Sequence, residues 1–345
     1  LSARIFPMLS SEIRKKFGDY FTAHDHVVVP SAPLVPPPTD ESVLFTTAGM
    51  QPFKPYLLGE GEALLDFGNL RLASIQKCFR TSDIETVGDE HHHTFFEMLG
   101  NFSIGDYFKE GAISLAWDFL TGELGLDPKR MFVSVFAGDP SAGSGRVPAD
   151  REARKIWERE APGVEIREFG REENFWGPVG KSGPCGPSSE IYYVLPSGLE
   201  IELWNLVFME YFKNEEGIYS KLGQKNIDTG MGLERLALIL QDKETVFETD
   251  LLAPLVEEVR KLTLQKSKPS SLRIIADHLR GAVFLTADGV RPLNVGRGYV
   301  LRRILRRAIL HGRLLGIRGY FLLGPTRLVI KMYGEVYPEL AERDK

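Results

Sequence analysis

The sequence predicts an α+β fold: an antiparallel sheet flanked by helices, followed by an all-α region. Two observations carry that prediction. Up to about residue 243, short runs rich in β-branched and aromatic residues alternate in polarity, with helical stretches between them. Beyond it the strand signals fade, and LLAPLVEEVRKL, LRIIADHLRGAVFLTADG and YVLRRILRRAILHGRLLG place apolar residues at helical spacing. The expected division is therefore residues 1–243 and residues 244–345, with no internal repeat.

The elements follow in order. SSEIRKKFGDYFTAHDH (10–26) opens on a serine N-cap and repeats Ile13, Phe17, Tyr20 and Phe21 on one helical face. HVVVP (26–30) reads as a short strand stopped by Pro30, and SVLFTTAGM (42–50) as another strand-like run. SIQKCFRTS (74–82) and HHHTFFEML (91–99) alternate and make a long hairpin around DIETVGDE, a polar loop with freedom to move. Alternation along the second strand sets His91, His93, Phe95 and Glu97 on one face, and His92, Thr94, Phe96 and Met98 on the other. GAISLAWDFLTGEL (111–124) is helical, while RMFVSVFAG (130–138), EIYYVL (190–195) and EIELWNLVFMEYF (200–212) are strands. TGMGLERLALILQ (229–241) begins as a glycine-rich turn and continues as a helix.

Composition narrows the function classes. The 345 residues are 43% hydrophobic and 26% charged, the balance of a chain that buries a substantial core. No apolar run approaches the roughly 18 residues that a membrane-spanning helix needs. The first residues lack the charged-then-apolar order of a secretion signal, and the missing initiator Met implies that the earliest residues are either trimmed or not included. Cys78 and Cys185 stand far apart, which points to a reducing, cytoplasmic setting and leaves no Cys-rich zinc site. A net charge of −5 argues against a nonspecific nucleic-acid binder, but a local basic surface is compatible with it.

Three stretches carry chemistry. DTGMGLERL (228–236) puts Asp228, glycines that admit close backbone approach, and Arg235 at a helix start, where free N–H groups favour anions. Taken alone, a glycine turn with a surface Arg is an equal reading. Arg80 supplies a second cation, and a guanidinium forks onto phosphate or lies flat on a base. Three adjacent histidines, without further ligands converging on them, read as a solvated strand edge before they read as a metal site. An Arg on one strand, a His/Phe/Glu face on its partner and a Gly-rich helix start together suit a nucleoside triphosphate.

These same stretches carry a resemblance. QKCFRTSDIETVGDE followed by HHHTFFEMLGNFSIGDYF resembles motif 2 of class II aminoacyl-tRNA synthetases, and DTGMGLER resembles motif 3. With FTTAGMQPFK, NFW, GPCGPSSEI, ELWNLVFMEY and IADHLR, the wording is similar to that of the alanyl-tRNA synthetase family along nearly the whole chain. The resemblance implies a six- or seven-stranded antiparallel class II sheet. It also implies ATP-dependent activation of L-alanine and transfer to tRNA(Ala), with Mg²⁺ accompanying ATP. Arg80 would bridge the α-phosphate and the amino-acid carboxylate, and His93 would reach the phosphates. Phe95 or Phe96 would pack on adenine opposite Arg235, with Met50, Glu97 and Gly232 completing the ATP site. His91 and His92 match no role in the family. Trp176, Asn205, Val207, Asp228 and Gly230 match its alanine site, Asp228 pairing with the substrate ammonium and Trp176 and Val207 closing around one methyl. Glu190 and Glu202 are possible metal contacts and equally ordinary strand carboxylates.

The reaction so implied needs no protein nucleophile, because a carboxylate is already ionised and catalysis rests on positioning and on neutralising charge at phosphorus. A pocket for one methyl separates neighbours by only about 1–3 kcal/mol, so glycine and serine are expected to be activated at a measurable level. RGYVLRRILRRAILHGRLLG (297–316) is the basic surface: Arg302, Arg306 and Arg313 align, with Arg303 and Arg307 beside them, opposite Leu301, Ile304, Leu305, Ala308 and Leu315. Five guanidiniums with no acid among them suit a phosphate backbone better than plain solvation. By resemblance they meet the tRNA acceptor stem, where Asn294 reads the G·U pair, although Leu293 and Val295 depart from the family wording.

The family's editing domain, with its zinc site, and its oligomerising domain lie further along than residue 345. The reading is therefore a monomeric N-terminal catalytic fragment without zinc. Two rivals stand beside it. One is a paralogue that activates a small amino acid for an acceptor other than tRNA, against which the basic helix and Asn294 speak. The other is a non-catalytic RNA-binding module, against which Arg80, Asp228 and Arg235 speak.

Overall fold

The computed structural model describes residues 7–40, 42–139, 147–177, 182–263 and 268–342. Nine strands lie among them: β1 (Val27–Val29), β2 (Arg71–Phe79), β3 (Phe95–Ile104), β4 (Met131–Phe136), β5 (Glu165–Phe169), β6 (Phe175–Trp176), β7 (Gly183–Val194), β8 (Glu200–Lys213) and β9 (Tyr219–Gly232). They join in the order β1-β2-β3-β9-β8-β7-β4-β5, with β6 beside β7. The sheet is mixed rather than wholly antiparallel. Its centre from β2 to β4 is antiparallel, whereas the edge pairs β1–β2 and β4–β5 are parallel.

Alternation gives the sheet two unlike faces. On the back, Phe95 and Leu99 of β3, Trp204, Leu206 and Phe208 of β8, and Ile227 and Met231 of β9 enter the main core. The helix Ser10–Ala23 lays Ile13, Phe17, Tyr20 and Phe21 there, with Phe17 edge-on to Phe119 at 5.6 Å between ring centroids. Each such buried ring contributes about 1.5–3 kcal/mol. On the front, Phe102, Ile104, Val207 and Met209 join Met50, Phe53 and Leu57 in a smaller cluster that leaves room for a ligand.

Three local expectations differ from the structure. Residues 42–50 form no strand: Thr46 makes single backbone bonds to Leu34 and Phe79, and the chain then enters the turn Gln51–Phe53. The strand expected at 190 starts at Gly183, in spite of Pro184 and Pro187. It is irregular there, with a register shift between Cys185 and Ser188, the kind of place where a sheet tolerates proline. A Cβ on Gly186 would lie 1.8 Å from the Phe208 carbonyl oxygen, so the two strands approach through a residue without one. Finally, the glycines of DTGMG form no turn. They are the end of β9, which passes straight into the helix Leu233–Leu240.

No strand follows Gly232 among the described residues. The helices Ala253–Lys261, Pro269–Ala287, Gly296–Leu314 and Leu323–Tyr333 pack on one another and share the main core with the sheet. Arg280 joins the two parts. Its Nη1 donates to Glu234 Oε1 at 2.8 Å and its Nη2 to the Phe95 carbonyl, both fully buried side chains pairing across the boundary.

Candidate active site

The ends of β2, β3, β8 and β9 build a cavity of about 80 Å³ lined by Arg80, Phe96, Met98, Gly230, Gly232 and Arg235. Asp83, His91, His92, His93 and Glu202 complete its rim. Cys78 faces Phe96 across the β2–β3 ladder, so Arg80, two residues on, shares that face. Its guanidinium lies 4.8 Å from the centre of the Phe96 ring, and its Nε donates to the Thr47 carbonyl at 3.3 Å. Arg235 enters from the first turn of the helix after β9. Its Nη1 donates to the Glu202 carbonyl at 2.8 Å and to Glu202 Oε2 at 2.9 Å, which fixes the guanidinium plane.

Arg80 also lines an adjoining cavity of about 250 Å³, with Thr47, Ala48, Met50, Trp176 and Pro184. Trp176 is placed by β6, which pairs it with Gly186. Behind this wall, Val207 faces Asp228 and Asn205 faces Gly230 across the β8–β9 ladder. Asp228 is 7% exposed, has no side-chain partner among the described residues, and is pushed up to about 7 by burial alone. Next to it, Asn205 Nδ2 donates to Glu190 Oε1 at 3.1 Å, while Asn205 Oδ1 and Ser188 Oγ are buried without a partner among the described residues. Burial and the nearby Glu202 charge push Glu190 up to about 7, and Tyr192 donates its hydroxyl to Glu190 Oε2 at 2.5 Å.

Most of the residues singled out in the sequence therefore gather on one face of the sheet. Two do not. Phe95 stacks on Phe284 at 4.0 Å in the core, and Glu97 accepts from Arg14 Nε at 2.8 Å and from the Tyr337 hydroxyl at 2.7 Å. Both occupy the back face because β3 begins at Phe95, and the histidines precede it as loop rather than alternating along a strand. Of the two phenylalanines, Phe96 is the one at the cavity. His91 and His92 also border it, His92 being solvent-exposed. His93 is driven down to about 3 by burial and by the charges of Arg280 and Arg235. Its Nδ1 donates to the His91 carbonyl at 3.0 Å, so a neutral ring keeps its lone pair at Nε2.

The basic helix also differs from expectation. Arg303 pairs with Glu85, Arg307 donates to the carbonyls of Ile84, Glu85 and Val87, and Arg302 bonds the Asn294 side chain. Arg306 and Arg313 are exposed and have no partner among the described residues. Sequence reasoning missed Lys54, Thr47 and Ala48 in the second cavity, although FTTAGMQPFK had drawn attention to that stretch. A larger cavity of about 570 Å³ lies among the helices. It is lined by apolar side chains such as Leu279, Val283 and Ile330 and by one ionisable group, Arg291, so it lacks the groups that acyl or phosphoryl chemistry needs. No helix among the described residues is long and apolar enough to cross a membrane.

Arg80 lies over the Phe96 ring and Arg235 lines the same cavity, beside the carboxylates of Glu190 and Glu202, an arrangement with the charge to suit a polyanionic ligand. The model for tRNA synthetases class II (A) matches residues 12–345, and the chain belongs to that family. Within it, the chain is 45% identical to the alanine–tRNA ligase of Petrotoga mobilis over 97% of its own residues and 39% of that protein. It is likewise 45% identical to that of Treponema pallidum over 98% of this chain and 58% of the other. For Rubrobacter xylanophilus the identity is 48% over 87% of this chain and 36% of the relative. The chain thus spans less than two thirds of the length of each.

Proposed function

We propose that this chain activates L-alanine with ATP and transfers the alanyl group to the 3′ end of tRNA(Ala). The observation that carries the reading is the convergence of Arg80, Phe96 and Arg235 on one cavity whose sheet face continues to the buried Asp228, which has no side-chain partner among the described residues. A carboxylate oxygen of alanine attacks the α-phosphorus, the bond to the bridging oxygen breaks, and pyrophosphate leaves. Arg80, shared by both cavities, is positioned to neutralise charge on the α-phosphate and the attacking carboxylate together. Arg235, held by Glu202, offers a flat guanidinium for the adenine opposite Phe96. Asp228 receives the substrate ammonium, which restores its charge, and Trp176 and Val207 limit the side chain to about a methyl. A terminal ribose hydroxyl then attacks the carbonyl carbon, AMP departs, and an adenylate phosphate oxygen accepts the proton.

Glu190 and Glu202 fit Mg²⁺: they are hard oxygen donors whose mutual repulsion a cation relieves, and Mg²⁺ is content with one or two carboxylates plus water. When bound it would neutralise phosphate charge. The helix Gly296–Leu314 presents Arg306 and Arg313, with Asn294 and Arg302 at its start, to the acceptor stem.

Alanine-dependent pyrophosphate exchange, followed by charging of tRNA(Ala), tests the reading. The wild type is expected to exchange, and Arg235→Ala to lose about 10²–10³ in rate. A wild type that exchanges with no amino acid, or charges no tRNA, refutes it.

A further inference from the structure

The 80–94 connection between β2 and β3 forms one rim of the nucleotide cavity, through Asp83 and the three histidines. It was expected to move, yet it is tied down from outside by the helical part. Arg307 donates from Nη1 to the Ile84 carbonyl, and from Nη2 to the carbonyls of Glu85 and Val87, each at 3.2 Å. The other face of that guanidinium is fixed too: Nη1 donates to His278 Nε2 at 3.0 Å, and His278 Nδ1 donates to Asp277 at 2.9 Å. Asp277 in turn accepts from the backbone N–H and the hydroxyl of Thr94, at 2.8 and 2.7 Å, where the connection re-enters β3. One chain of hydrogen bonds thus ties the middle of the loop to its C-terminal end. The Arg303–Glu85 pair beside it is exposed, so a polyanion can take Arg303 without disturbing Arg307.

We propose that Arg307 is a positioning residue for the nucleotide cavity, acting through the backbone of residues 84–87, and is not a phosphate contact. This rests on the reading of the Arg80–Arg235 cavity as the ATP site. The planar guanidinium spreads its donors over two separate nitrogens in a fixed geometry; a lysine would keep the charge but gather its three donors on one.

Pyrophosphate exchange involves no tRNA, so it separates the two roles. In Arg307→Ala, backbone amides of residues 84–88 are expected to exchange hydrogen at least about tenfold faster, because the carbonyls they neighbour lose their anchor. The KM for ATP should rise about 10- to 100-fold through misplacement of the rim. The KM for alanine should change far less, within about twofold, because Trp176, Val207 and Asp228 are held by β6, β8 and β9 rather than by the loop, Arg80 alone being common to both cavities. Arg307→Lys, which retains packing and charge, should show the same pattern in weaker form, and Lys331→Ala, at an exposed position of the neighbouring helix Leu323–Tyr333, should show neither change. Unchanged amide protection in both Arg307 variants overturns the proposal whatever the activity. So does a loss confined to tRNA affinity with normal KM for ATP. A wild type without exchange activity would instead refute the proposed reaction, and amide protection alone would then decide whether Arg307 holds the loop.

Discussion

The sheet side and the loop side of the nucleotide cavity are held by different means. Phe96, Gly230 and Gly232 sit on β3 and β9, whose ladder runs from Met98 opposite Gly232 to Ile104 opposite Asn226. Backbone bonds fix them, and the side-chain alternation follows without help from distant residues. Asp83 and His91 to His93 have no ladder. Their position depends on Asp277, Arg273, Arg303 and Arg307, which arrive from helices far along the chain. The lesson is that two halves of one site can differ in what would loosen them: a register change for one, the loss of a single guanidinium or carboxylate for the other.

The largest test strikes where the two supports meet. Arg280 binds Glu234, which precedes Arg235, and the Phe95 carbonyl at the start of β3. Removing one partner of a fully buried pair leaves the other uncompensated, at a cost of about 3–5 kcal/mol. Arg280→Met should therefore lower the unfolding free energy by that amount, seen as a lower urea midpoint with an unchanged slope. A loss below about 1 kcal/mol would mean that the helices contribute little to the site and would break the comparison.

A smaller effect sharpens the sheet side, through Asp228. Its folded pKa of about 7 lies above its ordinary value near 4 because burial disfavours the charge. The folded state therefore holds a proton that the unfolded chain has released between these two values. Stability from this group is complete below about pH 4, declines as pH rises, and is lost above about pH 7. Asp228→Asn should leave stability unchanged at pH 4 and raise it at pH 8, by an amount on the order of 1–4 kcal/mol. The same substitution should abolish alanine-dependent exchange, since an amide cannot balance an ammonium. A stability difference that is equal at both pH values would show that Asp228 is ionised throughout.

How much of this was legible in the sequence divides along the same line. The strands that carry Phe96 and Val207 were readable because alternation is a local pattern, whereas β9, which carries Asp228, went unread, Pro184 and Pro187 concealed the first part of β7, and the parallel edges left no local mark. The glycines at 230 and 232 looked like a turn because nothing local tells a flat strand end from one. Close packing settles it: a Cβ on Gly230 would approach Met98 Sδ at 2.7 Å. Arg80 and Arg235 could be proposed as partners only through the family wording, since no spacing rule joins residues so distant. The grip of Arg307 on the 84–87 carbonyls was not legible at all. Helical periodicity places a side chain on a face, but what that face meets depends on tertiary packing.

The smallest expected effect concerns the rest of that helix and separates it from Arg307. Arg306 and Arg313 are exposed and pair with nothing among the described residues, so alanine at either should change stability by no more than about 0.5 kcal/mol. If they contact tRNA phosphates, each loss should reduce the slope of log K against log salt by about 1, uniformly across tRNA sequences. Arg303→Ala should resemble them in the salt slope, because its pair with Glu85 is exposed and worth at most about 1 kcal/mol. Filter binding over a salt series measures all three. A slope unchanged in every variant would make this helix a structural support for the loop and nothing more, and the arginines on its two flanks would cease to differ in kind.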